Sequence, residues 1–408
     1  MFELLDTVDQ QAVIKVVGVG GGGGNAVNYM QKANIEGVEF INANTDVQAL
    51  QTSDCSTIMQ MGANLTKGLG AGADPDIGRQ AAIEDRDRIA EALAGSDMVF
   101  ITAGMGGGTG TGAAPVIAEI ARELGALTVA VVTRPFSFEG NRRSKLADQG
   151  LKLLKESVDS LITIPNEKLL EVMGKEASLE NAFAMANDVL RNAVQGISEL
   201  ITSPGLINVD FADVKTVMSE MGQAMMGAAT ATGTNRAAEA AHNALSSPLL
   251  EDTNIRGAKG ILVNVTAGPG LSIGEFGEVG GMIRDMASDE ATVVIGTSID
   301  PEMGDDLRVT MVATGIIDGS ALESQPKMEV VKPIARTVGA ENAGMSYESE
   351  SVNAVSYDRV SSRQETEAGS GLIMGSSRGN DSTELPVYYE TEGQTGLDVP
   401  TFLRRQAD

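Results

Sequence analysis

The segment "AGMGGGTGTGAAP", residues 103–115, places six glycines and two threonines between an apolar run and a helix-like one. Without side chains, backbone N–H groups can converge on anionic oxygens, and the N-terminus of a following helix adds positive potential. The hydroxyls of Thr109 and Thr111 can donate further hydrogen bonds, and Pro115 is tolerated in the first turn of that helix. The segment contains no lysine, so it is not a Walker A loop. It predicts a phosphate-binding loop between a strand and a helix.

A second glycine run, "VVGVGGGGGNAVNYM" at residues 16–30, also follows a predicted strand and opens a helix. Gly18, Gly20 and Gly23 satisfy the pattern G-x-G-x-x-G, and Asp46 lies 23 residues after Gly23. An NAD-dependent oxidoreductase is therefore one hypothesis. The later glycine segment opposes it, because two lysine-free loops in one domain indicate a single polyphosphate that is bound mainly by backbone dipoles.

The pattern of apolar residues predicts an α/β fold. Short β-branched runs alternate with amphipathic ones up to residue 165, which is typical of a Rossmann-like parallel sheet covered on both faces. Apolar residues at steps of three or four then predict one long helix, with Ser178 as its N-cap. Further strand-like and helical runs predict a second, smaller α/β domain. The predicted segments are a short N-terminal tail (1–11), a nucleotide-binding domain (12–177), a central helix (178–202), the second domain (203–318), a disordered linker (319–393) and a terminal peptide (394–408).

The composition excludes several classes of protein. The net charge of -26, the absence of tryptophan and an aromatic content of 3% argue against nucleic-acid binding. One cysteine, Cys55, and one histidine, His242, leave no intrachain disulfide and no Cys/His zinc cluster. The N-terminus lacks the basic and apolar regions of a signal peptide, and no apolar run approaches the roughly 18 residues of a membrane span. We therefore expect a soluble, cytoplasmic protein without direct membrane insertion.

Six motifs occur in order along the chain: "GVGGGGGNAV", "NTD", "GLGAGADPDIG", "GGGTGTG", "FEGNRR" and "NVDFADV". Together they resemble the tubulin and FtsZ family of GTPases, over residues from about 12 to 318 and again at the C-terminus. The resemblance implies the tubulin/FtsZ-like fold, with GTP as substrate and GDP as product. It makes residues 12–177 the GTP-binding domain and residues 203–318 a C-terminal domain that carries a catalytic loop.

The resemblance also implies which residues contact the nucleotide. Phe183 and Asn187, four apart on one helix face, would stack on the guanine and hydrogen-bond it. Many relatives have Asp in place of Asn187. A carboxylate offers guanine more hydrogen-bond acceptors than an amide does. The segment "GLGAGA" at 68–73 would close near the γ-phosphate. The other contacts implied for ribose and phosphates are Gly21, Gly22, Gly23, Gly24, Asn25, Gly107, Gly108, Thr109, Gly110, Thr133, Glu139 and Arg143.

Neither glycine segment supplies a carboxylate for the attacking water that phosphoryl transfer requires. Asp210 and Asp213, with Asn208 beside them, are the candidates, because a spacing of three puts both carboxylates on one side of a helix start. The alternative is that these acids serve only to stabilise the helix, because negative charge at a helix N-terminus interacts favourably with the helix dipole. The chain would then be a nucleotide-binding scaffold without useful catalysis.

The central helix spans roughly 36 Å, and Phe183 near its start is expected at the base. The acids beyond its far end could therefore reach a neighbouring subunit's phosphates more easily than their own. Repeated head to tail, such a contact gives an open filament whose assembly controls hydrolysis. Mg²⁺ is expected on the phosphates, with water completing its shell and no protein ligand assigned.

The last residues, "LDVPTFLRRQAD", regain apolar and basic side chains and resemble the family's C-terminal peptide. The resemblance implies that residues 397–405 bind membrane-tethering division proteins and regulators. It also implies a cytokinetic ring at midcell, on the inner face of the membrane. The linker before this peptide has an expected reach on the order of 45 to 50 Å.

Overall fold

The computed structural model describes residues 12–174, 178–203, 205–220, 223–250 and 257–316. In this part of the chain ten strands form one sheet. The predicted N-terminal tail, linker and terminal peptide lie outside the described residues. The strands are β1 (Ile14–Val19), β2 (Val38–Asn44), β3 (Thr57–Gln60), β4 (Met98–Gly104), β5 (Leu127–Arg134), β6 (Ser160–Pro165), β7 (Gln223–Thr232), β8 (Gly260–Ala267), β9 (Thr292–Ile299) and β10 (Asp306–Ile316).

Helices cover the sheet. None of those in the described ranges is long and apolar enough to cross a membrane. They are α1 (Gly20–Lys32), α2 (Val47–Gln51), α3 (Ala63–Thr66), α4 (Pro75–Glu84), α5 (Arg86–Leu93), α6 (Thr109–Glu123), α7 (Asn141–Ser157), α8 (Asn166–Met173), α9 (Leu179–Thr202), α10 (Phe211–Met218), α11 (Arg236–Leu245) and α12 (Ile273–Met286).

The strand order is β3-β2-β1-β4-β5-β6-β7-β10-β8-β9, and all pairings from β3 to β6 are parallel. Every residue of β1 is buried, because helices pack on both faces of this half of the sheet. Alternate strand residues contribute to two cores, one shared with α1 and α9 and the other with α4 to α7. The α/β class predicted from the sequence is confirmed.

The parallel pairing brings the carboxyl ends of β1, β4, β5 and β6 to one edge of the sheet. Both glycine segments leave the sheet at this edge, as do Thr133 in β5 and Asn166 directly after β6. Ligands of open α/β sheets bind at such an edge. One detail of the prediction is wrong: α6 begins at Thr109, so Pro115 lies inside the helix and not in its first turn.

The predicted long helix is present as α9, with 24 residues. The side chain of Ser178 accepts a hydrogen bond from Asn181 N at 3.2 Å, as its N-cap assignment requires. Residues on one face of the helix, among them Ala186, Leu190 and Ile197, are buried in the core. The helix therefore leads from the carboxyl edge of the parallel strands to the loop before α10.

The predicted second α/β region is built on the same sheet. Among the described residues, β6 and β7 share two residue pairs, Leu161 with Gln223 and Ile162 with Ala224. The last strand, β10, lies antiparallel between β7 and β8. Helices α11 and α12 pack with β7 to β10 around a third core.

An ion pair joins the starts of α11 and α12. The Nε of Arg236 lies 2.6 Å from Oε1 of Glu275, and its Nη1 donates to the carbonyl oxygen of Asp305 at 2.8 Å. The hydrogen bond from the guanidinium lowers the pKa of Glu275 to about 2. Glu275 also accepts from the backbone N–H of Ser272, which completes a capping box for α12.

Candidate functional site

A cavity of about 380 Å³ opens at the carboxyl edge of the parallel strands. Both glycine segments contribute to it, together with residues from the start of α9. Its described lining is Gly21, Gly22, Asn25, Gly104, Met105, Gly107, Gly108, Thr109, Gly110, Thr133, Pro135, Glu139, Arg143, Asn166, Phe183, Ala186, Asn187 and Leu190. The structure therefore brings together most of the residues that the sequence suggested for nucleotide contact.

The two glycine segments lie in direct backbone contact. Gly20 has φ of +72°, and a Cβ atom added there would lie 2.8 Å from Gly110 N. A Cβ atom added at Gly22 would lie 3.1 Å from Cα and from N of Gly104. Because Gly20 leaves no room for a Cβ atom and Gly22 leaves very little, the two segments form one continuous backbone surface. Helices α1 and α6 both begin at this surface and direct their free N–H groups toward the cavity.

Gly23 and Gly24 do not line the cavity, which departs from their expected phosphate contact. Both are buried. A Cβ atom at Gly23 would overlap the carbonyl oxygen of Thr102 in β4, and one at Gly24 would lie 2.8 Å from Oδ1 of Asn42 in β2. These two glycines allow α1 to pack closely on the sheet, because the helix begins at Gly20 and turns its third and fourth following residues inward.

The two threonines of the later segment have different neighbours. Thr109 lines the cavity, and its hydroxyl lies 2.6 Å from the hydroxyl of Thr45. The Thr111 hydroxyl lies outside the cavity lining and accepts a hydrogen bond from Gly106 N at 2.8 Å. Thr111 thus supports the backbone of the loop between β4 and α6. This placement does not favour the hydrogen bond that we expected the Thr111 hydroxyl to donate to a ligand.

The segment at residues 68–73 packs against this same loop. A Cβ atom at Gly108 would lie 2.8 Å from Cβ of Ala71 and 2.8 Å from Asp74 N. Gly72 has φ of +60° and nothing within 4 Å of an added Cβ atom. The segment is adjacent to the glycine surface but is not part of the described cavity lining.

Away from the glycine segments, the cavity is lined by aromatic and amide side chains. The rings of Phe183 and Phe136 meet edge to face, with centroids 5.3 Å apart. Asn187 lies one helical turn after Phe183 and also lines the cavity. Asn166 was not proposed from the sequence, yet it lines the cavity, is 4% exposed, and its Oδ1 has no hydrogen-bond partner. Its position directly after a parallel strand is the signal that could have identified it.

Glu139 is tied to the protein on both carboxylate oxygens. Its Oε1 accepts from Phe136 N at 2.9 Å, and its Oε2 accepts from Arg143 Nη1 at 2.5 Å. Among the described lining residues it is the only acid. Thr133, near the end of β5, lines the same cavity as Glu139 and Arg143.

Asp188 is turned away from the cavity. Its carboxylate accepts from the hydroxyl of Tyr29 at 2.7 Å and lies 3.3 Å from the guanidinium of Arg191. The hydrogen bond to Asp188 raises the pKa of Tyr29 above its usual value. Because residue 188 lies about 100° around the helix from residue 187, Asp188 does not substitute for Asn187 in the cavity.

The oxidoreductase hypothesis is not supported. In a dinucleotide site Asp46 would face the ribose. Here its carboxylate caps α2 by accepting from Gln48 N at 2.9 Å, and Asp46 is absent from the described cavity lining. The residue that completed the fingerprint in the sequence thus has a structural role.

Asn208, Asp210 and Asp213 lie together at the start of α10, exposed to solvent. Asp210 occupies the N-cap position, but its side chain makes no capping hydrogen bond, unlike Asp46, Asp74 and Ser272 at their helices. None of the three residues lines the cavity. From Asn187 to the end of α9 the helix rises by roughly 22 Å, so the structure separates these acids from the cavity of the same chain.

A side-chain cage for a metal ion is not seen in the described ranges, since no three His, Cys, Asp or Glu residues cluster there closely enough. The cavity lining combines the backbone amides of the glycine segments with three asparagine side chains, two threonines and the Arg143 guanidinium. This set suits an anionic ligand that brings its own cation.

Comparison with known proteins gives consistent matches. The model of the Tubulin/FtsZ family GTPase domain matches residues 13–174, and that of the FtsZ family C-terminal domain matches residues 222–317. The cell division protein FtsZ of Pseudomonas aeruginosa is 58% identical over 408 residues, covering all of both chains. That of Azotobacter vinelandii is 57% identical over 410 residues, again covering both chains in full. An empty FtsZ dimer from M. jannaschii has a TM-score of 0.72 and 46% identity, over 76% of this chain and 89% of that one.

The sheet, the cavity at its carboxyl edge and the matched GTPase domain define a nucleotide-binding protein of the tubulin and FtsZ class. The match to a second, FtsZ-specific domain and the full-length identity to curated relatives narrow this class. The chain belongs to the FtsZ family of cell division GTPases.

Proposed function

We propose that this chain polymerises head to tail and hydrolyses GTP at the contact between subunits. The observation that carries the proposal is the separation of the cavity from the exposed acids at the start of α10. The one acid in the described lining, Glu139, is bound to Arg143 and to a backbone amide. Among the described residues, the carboxylates of Asp210 and Asp213 make no hydrogen bond or ion pair, and both lie at an exposed helix start, where a neighbour's nucleotide can meet them.

In this arrangement the cavity binds GTP and the acids of the next subunit act on it. The backbone surface of the two glycine segments would hold the phosphates, and Phe183 and Asn187 would contact the guanine. Asp210 and Asp213 would orient the attacking water, with Asn208 beside them donating or accepting a hydrogen bond. Loss of the γ-phosphate would then weaken the contact that catalysed its removal, which couples hydrolysis to disassembly.

Mg²⁺ would accompany the nucleotide in this proposal. Mg²⁺ usually keeps several waters and binds through substrate phosphates with few protein ligands, which suits a cavity lined mainly by amides. When bound, the ion would neutralise phosphate charge. Thr109 belongs to the glycine surface, and its hydroxyl would orient a phosphate.

The filaments would act in the cytokinetic ring at midcell, on the inner face of the membrane. The support is that the relatives above are cell division proteins that this chain matches along its whole length. Membrane-tethering proteins would bind residues 397–405, a part of the chain outside the described residues.

The test of the proposal is steady-state GTP hydrolysis, with Mg²⁺, as a function of protein concentration. We expect negligible turnover below a threshold and a rising rate above it, because one subunit lacks half of the site. Sedimentation at the same concentrations should show polymer appearing at the same threshold. Turnover strictly proportional to protein, down to concentrations without polymer, would contradict the shared site.

A smaller effect on nucleotide affinity is expected where the cavity would hold the guanine base. The unpartnered Oδ1 of Asn166 can accept from guanine, so replacing Asn166 with alanine should weaken GDP binding about threefold to tenfold, the value of one neutral hydrogen bond. Calorimetric titration should be repeated with inosine diphosphate, which lacks the 2-amino group. Equal losses for both nucleotides would show that Asn166 does not accept from that group.

A further inference from the structure

Thr297 in β9 fixes the loop that joins α9 to α10 (residues 205–210) through three hydrogen bonds. Its hydroxyl oxygen accepts from Leu206 N and from Ile207 N, at 2.9 Å each. Its backbone N–H donates to the carbonyl oxygen of Ile207 at 3.1 Å. Thr297 is 3% exposed, whereas Leu206 and Ile207 are 71% and 43% exposed. One buried side chain therefore sets the backbone of an exposed loop.

The loop also lies directly against β9. A Cβ atom added at Gly296 would lie 2.7 Å from Cγ2 of Val209, and one added at Gly205 would overlap the carbonyl oxygen of Thr297. Within the loop, Oδ1 of Asn208 accepts from Gly205 N at 2.9 Å. Three consecutive amides of the loop are thus bound by side-chain oxygens, two of them by the same threonine, and close packing prevents the backbone from shifting toward the strand.

We propose that Thr297 is a positioning residue for GTP hydrolysis, because its hydroxyl determines where Asn208 and Asp210 project toward the neighbouring subunit. This inference rests on the proposed function. Asp213 depends on Thr297 less, since it lies within α10, where Val214 is fully buried in the core. Thr297 contacts neither the nucleotide cavity of its own chain nor the exposed carboxylates of Asp210 and Asp213. It therefore acts only through the loop.

The test compares Thr297→Val with Thr297→Ser. Valine keeps the shape of the side chain but removes the acceptor of both amides, whereas serine keeps the acceptor. We expect Thr297→Val to reduce turnover per assembled subunit at least tenfold, since small displacements of reacting groups have effects of this order. Sedimented polymer with a non-hydrolysable GTP analogue, and GDP affinity, should stay within twofold of the unmodified chain. Thr297→Ser should retain at least half of the turnover.

Thr292→Val is the matched control, because Thr292 lies at the exposed start of the same strand. It should leave turnover unchanged. Equal losses in Thr297→Val and Thr297→Ser, or a loss of polymer as large as the loss of turnover, would show a purely structural role and overturn the proposal. Thermal melting shows whether Thr297→Val folds. If it does not, Thr297→Ala takes its place, because alanine also removes the hydroxyl acceptor but does not bury the two methyl groups of valine. The same criteria then apply to Thr297→Ala.

Asp210→Ala in parallel separates this inference from the function on which it rests. If Asp210→Ala abolishes turnover and Thr297→Val does not reduce it, the positioning role alone is wrong. If Asp210→Ala leaves turnover intact, the acids have no catalytic role and both proposals fail. If both variants reduce turnover, Thr297→Val should slow the Asp210→Ala chain by much less than it slows the unmodified chain, because Thr297 acts through the loop that carries Asp210.

Discussion

Replacing Asp210 with alanine is expected to reduce GTP turnover about 100- to 10,000-fold, the usual contribution of a positioned general base. The change removes a carboxylate that makes no capping hydrogen bond and is exposed to solvent, so stability should change by less than the roughly 1 kcal/mol of an ordinary N-cap loss. Nucleotide affinity should be unchanged, because the cavity of the same chain does not include Asp210. Phosphate release under assembling conditions, with GDP titration alongside, measures both quantities.

Mixed assemblies make this prediction specific to catalysis between subunits. Asp210→Ala subunits still have an intact cavity, so in filaments with unmodified subunits they should have their GTP hydrolysed by unmodified neighbours. Labelled GTP bound in advance to Asp210→Ala subunits should therefore be hydrolysed once unmodified subunits are added, whereas a site completed within one chain would leave it intact. Asp87→Ala is the matched control, because Asp87 is an exposed acid in the first turn of α5 with no role in the site. If Asp210→Ala retains turnover within a factor of three, the acid has no part in hydrolysis.

Replacing Gly20 with alanine should weaken GDP binding about 100-fold, a typical result when binding groups move by about 1 Å. Alanine at φ of +72° is strained, and its Cβ would lie 2.8 Å from the backbone N of Gly110, an atom that cannot rotate away. The two glycine segments must therefore separate. Because the phosphates would contact both segments at once, their separation removes part of the amide surface from any one ligand. Titration with GDP, which is not hydrolysed, measures the loss.

Gly125→Ala is the matched control for Gly20→Ala. Gly125 has φ of +86° and nothing within 4 Å of an added Cβ atom, so this variant has the backbone strain without the contact. Its melting temperature should fall while its GDP affinity stays unchanged. Equal affinity in both glycine variants would refute the view that backbone contact between the two segments forms the binding surface.

The strands could be predicted from the sequence because most of them are buried on both faces and read as apolar β-branched runs. Before residue 165, the predicted runs "AVIKVV", "GVEFINA", "DMVFITA", "LTVAVVT" and "DSLITIP" correspond to β1, β2, β4, β5 and β6. The later runs "QAMMGAATATG", "KGILVNVTA", "ATVVIGTSID" and "DLRVTMVATGI" correspond to β7 to β10. β3 was missed because it has four residues and lies at the edge of the sheet. The single sheet could not be foreseen, since the pairing of β6 with β7 and the insertion of β10 depend on contacts between distant parts of the chain.

Glycine was the residue type that best predicted where the site lies, but the role of each individual glycine was ambiguous. The sequence cannot distinguish Gly21, which faces the cavity, from Gly23, which lets a helix approach a strand, because both lack the side chain that would reveal the direction. Asp46 was ambiguous for a different reason: a carboxylate before a helix serves as a cap as readily as it binds ribose. Asn166 could have been found only by placing the end of β6 beside the end of β5.

The position of β10 in the sheet has a consequence for the synthesis of the chain. The six parallel strands are complete once residue 165 has left the ribosome. β7 and β8, however, are joined in the sheet only through β10, which lies between them and ends at Ile316. At 5 to 20 residues per second, the 151 residues from 165 to 316 take roughly 8 to 30 s to translate. Until β10 is made, the completed β7 and β8 have open edges, and open strand edges are templates for pairing with other chains.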